Sequence, residues 1–87
     1  MKILAWPIEV IVWFNHSGIP TPLRIRMKNS DEINQVIKVD RVIQFDKEKI
    51  AGNAMYVYKC QSVIEDAEKI YELKYEVSTC KWILFKM

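Results

Sequence analysis

Basic side chains occupy every second position of residues 24–28, where Arg24, Arg26 and Lys28 alternate with Ile25 and Met27. This alternation is typical of a strand with one apolar side and one solvent-facing side, so the three cations share a face. Small barrels use strand faces that carry cations and aromatic rings to bind nucleic acid. We therefore predict a nucleic-acid site that extends onto the next strand and consists of Arg24, Arg26, Lys28, Lys38 and Arg41.

The stacking surface for such a site would come from Trp13 or Tyr56. The alternative is a solvated strand face, with Glu9, Glu32 and Asp40 neutralising some of the charge. A formal net charge of +2 is well below the excess of a dedicated nucleic-acid binder.

Enzyme chemistry has little support in the sequence. His16, the only histidine, follows Asn15 in a turn and has no orienting carboxylate. With Cys60 and Cys80 it supplies at most three zinc ligands, and these lack the short paired spacing of structural zinc sites. The acidic residues 65–76 are interpreted as a turn and the outer face of a strand. We predict a non-enzymatic protein with no metal site, no cofactor and two core cysteines.

Aromatic residues make up 11% of the chain and could line a ligand pocket. A domain of this size needs most of them for its core, so the core interpretation is favoured. The larger members are Trp6, Trp13, Tyr56, Tyr58, Tyr71, Tyr75 and Trp82.

The length of 87 residues predicts a single domain, residues 1–87, that buries roughly 60–65% of its unfolded surface. Residues 1–6 lack the longer apolar run of a signal peptide, and no apolar run approaches the roughly 18 residues that span a bilayer. Two cysteines make no disulfide framework. We expect a cytoplasmic protein with free thiols and no membrane partner.

Alternation and turn residues predict an all-β fold, a small six-stranded antiparallel barrel, partly open or closed, with at most one short helical turn. Residues 8–14 form a strand buried on most of both faces, and residues 29–32 form a polar loop. Residues 33–45 form one long strand or a bent pair with a β-bulge near residues 40–42. Residues 46–52 form either the helical turn, capped by Asp46 and Gly52, or an extension of the preceding strand.

The C-terminal strands are predicted to form a meander with one shared apolar face. Turns at residues 65–68 and 76–79 place Leu73 opposite both Cys60 and Trp82, and Tyr75 opposite both Tyr58 and Cys80. The cysteines then lie two strands apart, roughly 10 Å, which is too far for a disulfide.

Ile83 and Phe85 make the last strand apolar on both faces. This pattern favours barrel closure, or alternatively a homodimer that pairs through an Ile83 and Phe85 edge.

Six segments, 18–24, 38–43, 51–56, 58–62, 71–75 and 80–86, resemble parts of a group of small uncharacterised bacterial all-β proteins. A weaker pattern of a proline, a basic strand, Val-x-x-Val, an aromatic strand, Tyr-Glu-Leu and Trp-x-Leu resembles short domains found near DNA-repair polymerase genes. The resemblance implies no catalytic residues and slightly favours nucleic acid. The sequence thus predicts a binding module of this kind; the alternative is a structural or self-associating interaction domain.

Overall fold

The computed structural model describes residues 1–28 and 31–87, which form seven strands and no helix. The strands are β1 (Ile3–Phe14), β2 (Pro20–Lys28), β3 (Asn34–Lys38), β4 (Arg41–Ile50), β5 (Asn53–Ile64), β6 (Ala67–Glu76) and β7 (Lys81–Lys86). No helix within these residues has the length and apolar character needed to cross a bilayer. Residues 29 and 30 of the predicted polar loop lie outside the described residues.

All strand pairs are antiparallel, in the order β3-β2-β1-β7-β6-β5-β4. β1 pairs with β7 through its first half and with β2 through its second half. Because every neighbour is antiparallel, β3 and β4 run in the same direction although they lie at opposite edges of the sheet. They are one bent strand that passes from one edge to the other, so the sheet curls into a half-barrel. The predicted all-β barrel class is confirmed.

A closed corner forms where residues 38–40 meet residues 61–63 of β5. The Val39 N–H donates to the Leu23 carbonyl of β2 at 2.9 Å, and the next N–H, that of Asp40, donates to the Gln61 carbonyl at 3.0 Å. The Asp40 carboxylate also accepts the Val63 N–H at 2.8 Å. Consecutive amides therefore join the two edges of the curled sheet.

The core lies on the concave side of the sheet. Its most buried side chains come from five strands and from the residue after β3, namely Ile25, Ile37, Val39, Tyr58, Cys60, Tyr71, Leu73, Tyr75, Trp82 and Leu84. Ser62 is the buried polar member, and its hydroxyl lies 2.6 Å from both the Lys38 carbonyl and the Tyr71 hydroxyl. This bonding satisfies the polar groups that closure of the corner buries.

The bent-pair interpretation of residues 33–45 is correct, and it raises the strand count from six to seven. The bend lies at residues 39 and 40, and the ladder to β5 shifts register between Val42 and Gln44, slightly beyond the predicted bulge. Of the two alternatives for residues 46–52, the strand extension is correct as far as Ile50 and the helical turn is wrong. β4 continues to Ile50, and Ala51 and Gly52 form a two-residue hairpin turn with φ of 50° and 83°, because positive φ at both positions matches the twist of the paired strands.

The predicted register is wrong by two residues at both C-terminal turns. Leu73 lies opposite Tyr58 and Leu84, and Tyr75 lies opposite Tyr56 and Trp82. The first turn contains only residues 65 and 66, both at positive φ, which is a tighter hairpin than the one predicted. A shift of two residues preserves the side of the sheet, so the shared apolar face remains correct.

The same shift removes Cys80 from the predicted core face. Cys80 lies exposed in the four-residue turn before β7, whereas Cys60 is buried, and both are free thiols.

The last strand is not an edge. β7 pairs with β1 on one side and with β6 on the other, and Ile83 and Phe85 lie half-buried on its outward face. The Lys74 amine lies 3.9 Å from the centre of the Phe85 ring and covers part of it. A homodimer through an edge at Ile83 and Phe85 therefore has no free backbone to pair with there; contact through the outward face stays a prediction.

Candidate nucleic-acid interface

The outward side of β1, β2 and β3 carries four of the five predicted site residues. A bulge at Leu23, where the ladder to β1 shifts register, sets the alternation of the rest of β2. Ile25 and Met27 then face the core, and the cations between them face solvent. Simple alternation with Ile25 would turn Leu23 towards the core, but the bulge leaves it 42% exposed. We call Arg24, Arg26, Lys28 and Lys38 the basic face.

Arg24 and Lys38 lie directly opposite each other on β2 and β3. Ile11 of β1 lies opposite Arg24 on its other side, so the three side chains form one row across the strands. Neither cation forms an ion pair with a described residue. Like charges at opposed strand positions repel each other, so this row gains stability when an anion lies over it.

The other two cations of the basic face have carboxylate partners. The Arg26 guanidinium donates from Nε and Nη2 to one oxygen of Glu9, at 3.0 and 2.7 Å. The Lys28 amine lies 3.6 Å from the Glu32 carboxylate. Both pairs are solvent-exposed, and such pairs contribute about 0–1 kcal/mol. A phosphate can therefore replace either carboxylate at little cost.

Two shallow depressions flank the Glu9–Arg26 pair. One, of about 440 Å³, lies where β1 leaves β2 to join β7, and it is lined by Trp6 and Lys28 among others. The second, of about 400 Å³, lies over the row of Ile11 and Arg24 and extends to Val36. Both depressions are lined by apolar side chains, by the Arg26 guanidinium and by the Glu9 carboxylate.

The two aromatic candidates fall on opposite sides of the sheet. Trp13 lies on the outward side of β1, opposite Thr21, and is 67% exposed. It is two residues from Ile11 and so shares the side of the basic face. Tyr56 lies on the concave side and cannot serve that face. Arg41 faces outward from β4, opposite Gln61, beyond the closed corner.

The interpretation of residues 8–14 as buried on both faces is wrong. Ile11 is 61% exposed and Trp13 is 67% exposed, while Ile8, Val10 and Val12 pack against the core. The charged Glu9 could have indicated that this side of β1 faces solvent, because it alternates in the strand with Ile11 and Trp13 on the same side. The sequence interpretation therefore missed Ile11 and Val36 as surface residues of the site and Glu9 as the partner of Arg26.

The residues considered for catalysis or metal binding differ in their surroundings: His16 and Cys80 lie in exposed turns, whereas Cys60 is buried. Asn15 organises the turn around His16, since its side-chain oxygen accepts the N–H groups of Ser17 and Ile19 at 2.9 and 3.0 Å. Burial raises the pKa of the Cys60 thiol to about 12, so it stays protonated. Within residues 1–28 and 31–87, no group of three or more His, Cys, Asp or Glu side chains could hold a metal ion.

The comparisons with known proteins supply no family for this chain. No protein-family model matches it, and no curated protein or solved structure does so either.

Proposed function

We propose that this protein is a non-enzymatic module that binds single-stranded nucleic acid through the basic face. The observation that carries the proposal is that Arg24 and Lys38 lie opposite each other beside exposed Ile11 and Trp13, and that neither forms an ion pair within residues 1–28 and 31–87. Cations of this kind track a phosphate backbone, and an exposed indole stacks on an unpaired base whatever its sequence. We also place the protein in the cytoplasm, where its two free thiols would remain reduced.

A test is the binding of a labelled oligothymidylate, measured by fluorescence anisotropy over a range of salt concentrations. We expect affinity to fall with salt at a logarithmic slope of about 0.7 for each phosphate neutralised, hence roughly 1.5–3 for two to four contacts. The double variant Arg24→Gln and Lys38→Gln should reduce that slope by about 1.4. Trp13→Ala should weaken binding about tenfold and leave the salt slope unchanged.

The matched control is Lys81→Gln, which removes an exposed cation from the start of β7. It should leave both affinity and salt slope close to those of the unchanged protein. Absence of binding at low ionic strength would overturn the proposal, as would equal losses in the double variant and the control.

A further inference from the structure

An aromatic slot opens on the concave side of the half-barrel, away from the basic face. Its rings form a continuous contact network, with centroids 4.8–6.5 Å apart between neighbours. Tyr58, Tyr75 and Trp82 are buried and form the floor. Phe14 from β1 contacts Tyr75, and Phe45 from β4 contacts Tyr58. The slot therefore consists of Phe14, Phe45, Tyr56, Tyr58, Tyr75 and Trp82.

The upper rings of the slot are open to solvent. Phe14 is 52% exposed and Phe45 is 36% exposed, and Tyr56 is partly buried between its neighbours. A small domain would gain stability if these rings were buried, because each aromatic side chain can bury about 150–250 Å². Their exposure on one side of the sheet leaves an accessible aromatic surface.

The charges around the slot have one sign. Lys47 lies opposite Tyr56 and therefore shares its concave side, and its amine lies 5.9 Å from the centre of the Tyr56 ring. Lys49, two residues further along β4, has the same parity. The carboxylates of the neighbouring strand positions, Asp46, Glu48 and Glu76, face the opposite side of the sheet. A ligand of this slot should therefore carry negative charge as well as an aromatic ring.

We propose that the aromatic slot binds a nucleotide, with its base against Phe14, Phe45 and Tyr56 and its phosphate beside Lys47 and Lys49. Stacking on rings accounts for the base, and charge complementarity accounts for the phosphate. This site is independent of the proposed binding on the basic face, which lies on the other side of the sheet. Either site can fail while the other stands.

The experiment is calorimetric titration with adenosine monophosphate, and with adenosine and ribose 5-phosphate as the two half-ligands. We expect the nucleotide to bind more tightly than either half-ligand. Phe14→Leu keeps an apolar side chain at an exposed position but removes the ring, and it should weaken nucleotide binding roughly tenfold. The double variant Lys47→Gln and Lys49→Gln should bind the nucleotide no better than adenosine.

The matched control lies on the outward face. Lys59→Gln removes a cation from the outward side of β5 and should not change nucleotide affinity. A 5′-phosphorylated oligonucleotide separates two sources of the ligand. If Phe14→Leu weakens binding of the oligonucleotide as much as binding of the mononucleotide, the site also accepts the ends of nucleic-acid strands. If the variant binds the oligonucleotide with unchanged affinity, the site accepts free nucleotides.

Two results would overturn the proposal. The first is nucleotide binding no tighter than that of adenosine or ribose 5-phosphate. The second is a concentration-dependent mass in sedimentation that Phe14→Leu abolishes, since the slot would then be a contact between two copies of the chain.

Discussion

The closed corner and the aromatic slot lie along the same gap between the two edges of the sheet, but they bridge it with different groups. At the corner, backbone amides and the Ser62 hydroxyl join the edges. At the slot, Pro20 and Pro22 offer no N–H, and the Pro20 carbonyl accepts the Tyr58 hydroxyl. β4 pairs only with β5, so the Tyr58 hydroxyl rather than a strand ladder crosses the gap there. A barrel of this size can therefore be closed at one end and accessible at the other.

Exposure follows the same division. Ser62 and Tyr71 at the corner are fully buried, whereas Phe14 and Phe45 at the slot are accessible. Local stability tracks buried contacts and protected hydrogen bonds. We therefore expect substitutions at the corner to change the free energy of unfolding much more than substitutions at the slot.

The largest effect is expected at Ile37, a core residue next to the corner. Ile37→Ala should lower the free energy of unfolding by about 2–5 kcal/mol, because it removes buried carbon and leaves a cavity. Urea denaturation measures the change. Its neighbour Val36, which is 59% exposed, supplies the control. Val36→Ala should cost less than about 0.5 kcal/mol, and equal losses would show that the corner is not the stable region.

Removal of the Ser62 hydroxyl should have the next largest effect. Ser62→Ala deprives the Lys38 carbonyl and the Tyr71 hydroxyl of a shared buried partner. Leaving buried polar groups unsatisfied costs about 1–3 kcal/mol, again measurable by urea denaturation. Ser78→Ala, in an exposed turn, is the matched variant and should stay within about 0.5 kcal/mol of the unchanged protein. A neutral Ser62→Ala would mean that backbone bonds alone close the corner.

Alkaline pH should weaken the corner through Tyr71. Burial raises the pKa of its hydroxyl from 10.0 to about 12, although the Ser62 hydrogen bond opposes the shift. The folded state therefore prefers the protonated form. This contribution to stability is complete below pH 10 and is lost as the pH rises from about 10 to 12.

Thermal unfolding between pH 9 and pH 12 tests this point. Tyr71→Phe should show a shallower loss of stability across that interval than the unchanged protein. Tyr58 also has a pKa raised mainly by burial, so part of the loss should persist in the variant. Identical pH profiles for the two proteins would contradict the assignment.

The rate at which a thiol reagent modifies each cysteine distinguishes the two regions, and it can be measured on the folded protein. Cys60 lies in the core near the corner, whereas Cys80 is exposed beside the floor of the slot. A thiol reagent should modify one cysteine rapidly in the folded protein and the second only after unfolding. Cys80→Ser should abolish the rapid phase and Cys60→Ser should not. Rapid modification of both thiols would mean that the corner opens readily.

The sequence predicted the class of fold and the side of the sheet on which most residues lie. Alternation in residues 23–28 and in the C-terminal strands depends on local parity, and a register error of two residues preserves parity. This is why the core face around Leu73 was correct although its partners were not. Four of the five predicted cations also share a face for the same reason.

Local pattern failed where a turn or a bulge decided the geometry. Residues 46–52 form a strand end and a tight hairpin turn. Ala51 adopts positive φ there, a conformation that an alanine in the sequence does not indicate. Cys80 lies outside the core because the second turn begins one residue later than predicted. Arg41 lies apart from the basic face because the chain bends at residues 39 and 40.

By itself the sequence determined which residues alternate and therefore which faces are apolar, cationic or mixed, because strand parity is a property of neighbouring residues. Only the tertiary structure decided which strands become neighbours. It opposed Arg24 to Lys38, separated Trp13 from Tyr56, and gathered Phe14 and Phe45 from distant strands into one slot. The physical reason is that the curl of the sheet depends on bulges, prolines and backbone bonds at the corner, which act between residues far apart in the chain.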